Sequence, residues 1–162
     1  MSKVFISAVI EADINPVWKL VREFNGFPKW HPAVVRSEIE DGREEDAVGC
    51  VRSFELNNGA WIRERLCALD DTAHSVSYTI LRAPLAVTHY HASLALMPIT
   101  EGDPATLAVW QAEFRCAADE ESRLVVEIED LFKAGLAALQ SVFGRPKAQA
   151  GQTPALMTGG GR

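Results

Sequence analysis

The chain has 162 residues, 48% of them hydrophobic and 23% charged, a balance that suits one soluble globular domain with a real core. A net charge of −6 without any Lys/Arg cluster excludes nucleic acid and an anionic membrane surface as partners. No apolar run approaches the roughly 20 residues that span a bilayer, and the N-terminus shows no signal-peptide pattern, so a cytoplasmic location is expected.

Residues 3–11 alternate as a strand. Asn15-Pro16 then opens a helix, Asn as N-cap and Pro at the first position, with Val17, Trp18, Leu20, Val21 and Phe24 as its apolar stripe. Gly26 and Pro28 interrupt it, and Phe27–Pro32 reads as a second short helix or turn. Strand-like runs follow near 34–40, 48–56, 60–70, 75–82, 87–98 and 105–117, joined by turn-rich hairpin connections such as Asn57-Asn58-Gly59 and Glu101-Gly102-Asp103-Pro104. Successive short strands with such turns predict an antiparallel meander.

From about 119 to 143 the period becomes helical, with Asp119 or Ser122 as candidate cap. Phe132, Gly135, Leu136, Leu139, Val142 and Phe143 share one face. Gly135 costs a helix roughly 1 kcal/mol relative to Ala, so its expected use is close approach to the sheet or room for something bound beneath. Residues 144–162 are rich in Pro, Gly, Ala and Gln and read as a disordered tail. A long helix laid over a bent antiparallel sheet tends to enclose a tapering cavity, a favoured ligand site.

The run Trp61–Leu69 carries the most informative pattern. Side chains on a strand alternate between faces; Ile62, Glu64, Leu66 and Ala68 share one, so a carboxylate stands in the middle of an apolar face. A buried charge is paired, solvated or shifted in pKa. Either the strand faces a wet internal cavity, or Glu64 is a surface residue and the faces are reversed.

Tyr90 shares a face with Thr88, Ala92, Leu94 and Leu96, and Trp110 with Ala108, Ala112 and Phe114; the small residues beside the rings leave volume for a cavity. His89 and His91 sit two apart on a more polar face, but no third ligand accompanies them and a metal site needs three or four. No metal or cofactor is expected. His31 reads as a packing or capping residue. Cys50, Cys67 and Cys116 are widely spaced and odd in number, which suits reduced core fillers better than a disulfide framework or a zinc site.

The element order, with Val48-Gly49-Cys50-Val51-Arg52, Glu64-Arg65-Leu66, Leu69-Asp70-Asp71 and Tyr78-Thr79-Ile80, resembles the helix-grip (SRPBCC-type) superfamily. That group includes START lipid-transfer domains, bacterial polyketide cyclase/dehydrase-like proteins, birch-pollen-allergen-like proteins and plant abscisic acid receptors. The resemblance covers residues 3–143. It implies an α+β helix-grip domain over 1–143, a seven-stranded curved antiparallel sheet with two short N-terminal helices and a long C-terminal helix enclosing a cavity.

The resemblance is nearest to the bacterial cyclase-like group and its hormone-receptor relatives, and it implies site residues. A receptor lysine that meets a ligand carboxylate corresponds by order to Arg36, the pocket carboxylate to Glu64 and the pocket tyrosine to Tyr90. Ile62, Ala92, Trp110, Phe132 and Leu136 complete the expected lining. The portal loops correspond to Asn57–Ala60, with Asn58 and Gly59, and to Arg82–Ala86, with Pro84 and Leu85. The receptors' Ser-Gly-Leu-Pro gate and His-Arg-Leu latch are absent, which argues against hormone-triggered phosphatase binding.

Two functions follow from the resemblance. One is binding or carriage of a small hydrophobic molecule bearing a carbonyl or carboxylate, with Arg36 and Glu64 as a polar floor. The alternative is a polyketide aromatase/cyclase or dehydratase in which Glu64, Tyr90 or Arg36 polarises a carbonyl or moves a proton. The expected partner is the small ligand, with a homodimer left open.

Overall fold

The chain begins and ends its sheet at the same edge. In the computed structural model, which describes residues 1–144, β1 (Ser2–Ile10) pairs with β7 (Ala105–Arg115). The strands between are β2 (Val34–Ile39), β3 (Val51–Leu56), β4 (Trp61–Asp70), β5 (Ser75–Arg82) and β6 (Thr88–Ile99). They form one seven-stranded sheet in the order β1-β7-β6-β5-β4-β3-β2, every neighbour antiparallel. The meander expectation holds, and only the β1-to-β2 connection crosses the sheet. It contains α1 (Ile14–Val21) and a 3-10 helix, Phe24–Lys29. The expected tail, beyond Gly144, lies outside the described residues.

The α1 start differs from the expectation by two residues. Asp13 is the N-cap, its carboxylate accepting the Asn15 N–H at 2.9 Å, and Pro16 falls inside the first turn, where its missing N–H has no intrahelical partner to lose. Helix α2 (Glu121–Phe143) follows Glu120, which gives no side-chain cap bond, so neither Asp119 nor Ser122 caps it.

Leu124, Ile128, Phe132, Gly135, Leu136 and Leu139 are the buried residues of α2, a stripe at helical spacing turned to the sheet. Gly135 sits against the sheet's rings: a Cβ there would lie 2.6 Å from Trp110 Cζ3 and 2.8 Å from His31 Cδ2. Of its two expected uses, close approach is the one observed. Phe132 stacks on Trp110 with centroids 4.4 Å apart and planes 6° from parallel. Among the described residues, no helix is long and apolar enough to cross a membrane.

Candidate functional site

Glu64 is buried, 5% exposed, so of the two readings the inward-facing strand is the one observed. Its companion is Arg52 and not Arg36. Arg52 and Glu64 stand directly opposite each other on β3 and β4, and cross-strand pairs of this kind share a face of the sheet. Arg52 Nε and Nη2 both donate to Glu64 Oε2, at 2.9 and 2.7 Å, and Nη1 donates to the Phe24 carbonyl at 2.7 Å. The guanidinium carbon lies over Phe24, Phe27, Tyr78 and Phe54 at 4.1, 4.3, 5.1 and 5.3 Å from the ring centroids. Full burial pushes the Glu64 carboxyl above the ordinary glutamate range, and the charge and hydrogen bonds of Arg52 work the other way. The β4–β5 register slips between Arg63 and Glu64 and again between Leu66 and Ala68, so irregularities flank the carboxylate, as β-bulges often do beside sites.

Arg36 is placed elsewhere. The β2–β3 register slips between Val34 and Arg36, and this turns the Arg36 side chain out of the interior. Its side chain is 67% exposed, bonded to Glu55 Oε2 at 2.7 Å and laid over Trp61 at 4.8 Å. The expected pairing of Arg36 with Glu64 is therefore corrected: Glu64 pairs with Arg52, and Arg36 with Glu55 on the outer face.

The remaining expected lining residues do face inward. Ile62, Tyr90, Ala92, Trp110, Phe132 and Leu136 are all buried. Tyr90 stacks on Phe114, centroids 6.3 Å apart, and burial raises its hydroxyl well above the usual tyrosine value. The Trp110 indole Nε1–H donates to Tyr78 Oη at 2.9 Å. Burial raises the Tyr78 hydroxyl too, and the Glu64 charge adds to the effect.

His31 is an interior group with both ring nitrogens engaged. Nε2 donates to the Leu131 carbonyl on α2 at 3.0 Å, and Nδ1 accepts the Ala33 N–H at 3.2 Å, an arrangement that needs the neutral ring. Burial, helped by the Arg52 charge, lowers its pKa to about 4. His89 and His91 are exposed, and no group of three His, Cys, Asp or Glu able to hold a metal occurs among the described residues.

The interior is fuller than the lining pattern suggested. Phe24, Phe27, Trp30 and Trp110 occupy the space under α2, and what remains beside Arg52 and Tyr78 is about 20 Å³. The expected tapering cavity is corrected accordingly: at this depth it is filled by Phe24, Phe27 and Trp30 from the β1–β2 connection together with Trp110 of β7. A second space of about 80 Å³ lies at the edge, between the β3–β4 loop, the β5–β6 loop and α2. Asn58, Ala60, Ile62, Pro84, Leu85 and Ile128 line it, so three of the four expected portal residues frame this mouth. Gly59 belongs to the same turn, where its φ of +82° suits glycine, but it does not line the space. Ile62 lines this outer space, and the next inward residue on its strand is Glu64.

Arg52 and Tyr78 lie in the motifs that carry the resemblance, yet neither is among the expected site residues. The signal for Arg52 was present: counting six residues each way from Asn58 at the hairpin tip reaches Arg52 and Glu64. No comparable count gives Tyr78, whose β4 partner, Leu66, is apolar.

A family model described as polyketide cyclase / dehydrase and lipid transport matches residues 1–144. Two curated relatives are abscisic acid receptors of Arabidopsis thaliana. PYL7 is 26% identical over 86% of this chain and 67% of its own length, and PYL10 is 30% identical over 62% and 56%. The chain thus spans little more than half of the second. Among solved structures, XoxI from Bacillus cereus has a TM-score of 0.80 at 27% identity, covering 88% of this chain and 96% of that one. A Thermobifida fusca protein gives 0.80 at 30% identity, over 89% and 94%. Norcoclaurine synthase from Thalictrum flavum gives 0.67 at 14% identity, over 88% and 93%, a likeness of fold alone.

Proposed function

The chain belongs to the polyketide cyclase / dehydrase and lipid transport family, and from that premise we propose that it binds a small hydrophobic molecule between the sheet and α2. The observation that carries the reading is the mouth. Leu56, Ala60, Ile62, Leu85, Ile128 and Leu131 present apolar surface there, and the strand that lines it leads to a buried ion pair. An apolar entrance with few polar groups behind it is the usual make-up of a small-molecule site. The relatives named as abscisic acid receptors support a ligand-binding role over a structural one. The spaces of about 20 and 80 Å³ hold little without rearrangement, so a guest enters by parting the loops and helix face that frame the mouth. A reducing, cytoplasmic setting suits the three free cysteines.

Native mass spectrometry of the full chain, purified without denaturation, tests the reading, together with titration by the hydrophobic dye 1-anilinonaphthalene-8-sulfonate. Expected are a bound small molecule or saturable dye binding, weakened at least tenfold by Ile128→Trp, which fills the mouth. No adduct and no saturable binding, or binding indifferent to Ile128→Trp, overturns it.

The enzymatic alternative draws on one observation, a fully buried carboxyl raised by desolvation. Both Arg52 bonds end on one oxygen of that carboxyl and hold it in place, which suits orientation of a guest better than proton transfer. Turnover of a poly-keto thioester, abolished by Glu64→Gln, would decide for the enzyme.

A further inference from the structure

The Trp30 side chain is buried, 8% exposed, and its indole Nε1–H has no hydrogen-bond partner among the described residues. Leaving such a donor unmade is expensive, because the group loses water and gains nothing. Trp30 lines the space of about 20 Å³ beside Arg52 and Tyr78, a volume that admits about one oxygen atom. The polar groups around that space are unbalanced. Arg52 has five N–H groups, and its bonds to Glu64 and Phe24 use three. Tyr78 Oη accepts from Trp110 and still has its own proton to give. Three residues that line it bring donors, Trp30 by its Nε1–H, Arg52 by its spare guanidinium N–H groups and Tyr78 by its O–H, while the Glu64 Oε1 that takes neither Arg52 bond is an acceptor beside them.

A water molecule here would accept from Trp30 and has to turn a proton to Glu64 Oε1, whereas a guest oxygen that only accepts takes the same donor without needing that acceptor. An oxygen that only accepts suits it well. Charge narrows the choice further. The Arg52 cation is already paired with the Glu64 carboxylate, at 2.7 Å, so the pair is neutral overall, and Trp30 and Tyr78 are neutral donors. A carboxylate would add an unbalanced negative charge to this apolar interior, at a cost that a neutral carbonyl avoids.

Resting on the proposed ligand-binding role, we propose that this chamber is a subsite for the carbonyl oxygen of a neutral guest, a ketone, aldehyde or ester, with Trp30 as its principal donor. The subsite prefers a carbonyl to a carboxylate, and so selects between the two ligand chemistries that the sequence left open.

The test uses the ¹⁵N-labelled full chain titrated separately with acetophenone, benzoate and toluene, which share a ring and differ in the acceptor. The Trp30 indole resonance is assigned by its loss in Trp30→Phe. Acetophenone is expected to move that resonance downfield and to bind about fivefold more tightly than toluene, the worth of one net hydrogen bond. Trp30→Phe is expected to remove that preference while toluene binds as before. The shift is read in the unsubstituted protein, so it stands even if Trp30→Phe fails to fold. Toluene and acetophenone binding equally, with the Trp30 resonance unmoved, overturns this subsite alone. Benzoate binding most tightly overturns the preference for a neutral carbonyl. No binding of any probe, with the dye also failing to bind, overturns the subsite and the ligand-binding reading together.

Discussion

Replacing Arg52 by Met removes three hydrogen bonds and a guanidinium packed against four aromatic rings, while keeping most of the aliphatic stem. It also strands the Glu64 carboxylate in a site that is fully buried. Removing one partner of such a pair costs about 3–5 kcal/mol, most of it the penalty of the charge left behind. The carboxylate can escape that penalty only by taking up a proton. Without Arg52, only burial acts on Glu64, and burial raises its pKa above the unfolded value. A raised folded pKa means that the native state holds the proton more firmly, so the variant's stability is greatest below the unfolded glutamate pKa and is lost as pH rises through the folded one. The deficit of Arg52→Met relative to the parent should therefore be near its maximum at pH 7 and shrink by pH 4.5. Urea denaturation at both pH values reads it as a shift in midpoint at constant slope. The double variant Arg52→Met, Glu64→Leu leaves no charge behind and should recover most of the loss at pH 7. A single variant within about 1 kcal/mol of the parent at pH 7, with a deficit indifferent to pH, would refute the reasoning.

Three further outcomes can be read by the same denaturation assay. His31 is held neutral with its pKa lowered from 6.5 to about 4, so stability is intact above pH 6.5 and falls by on the order of 3 kcal/mol as pH drops to 4; His31→Gln should flatten that slope. Gly135→Ala gains roughly 1 kcal/mol of helix propensity, but its Cβ meets Trp110 and His31 within 3 Å. Both rings are held, Trp110 by Phe132 and Tyr78 and His31 by Leu131 and Ala33, so overpacking should win and the variant should lose about 1–2 kcal/mol. Arg36→Ala breaks an exposed ion pair with Glu55 and should change stability by less than about 1 kcal/mol and binding not at all.

The sheet was legible because its signals are local. Alternation marked each strand, the Asn57-Asn58-Gly59 turn set the β3–β4 hairpin, and seven antiparallel strands follow from short connections. The inward face of β4 was legible for the same reason, and Glu64 with it. Arg36 is proposed by its order in the resemblance, as the counterpart of a receptor lysine, and order alone does not register the slip after Val34 that turns its side chain outward. The filling of the interior was harder still. Phe24, Phe27 and Trp30 come from the β1–β2 connection, and sequence separation from β5, β6 and β7 hides that their rings gather with Val76, Tyr78, Leu94 and Trp110 of those strands. His31 looked peripheral from its neighbours Trp30 and Pro32, yet its ring nitrogens bind α2 some 100 residues away.

The buried pair itself carries a functional implication. Two charges taken out of water recover their desolvation cost only with good geometry, and a well-packed apolar pair of similar volume is often equal or better for stability. Here the interior is otherwise aromatic and aliphatic, so leucine and methionine at Glu64 and Arg52 would suit packing. What such a substitution removes is the set of N–H donors at the one-oxygen space beside Trp30. Stability and binding should then part company in Arg52→Met, Glu64→Leu: the fold stays near or above the parent's midpoint, and the preference for acetophenone over toluene falls. A double variant that keeps the full preference would leave the pair with a structural role alone.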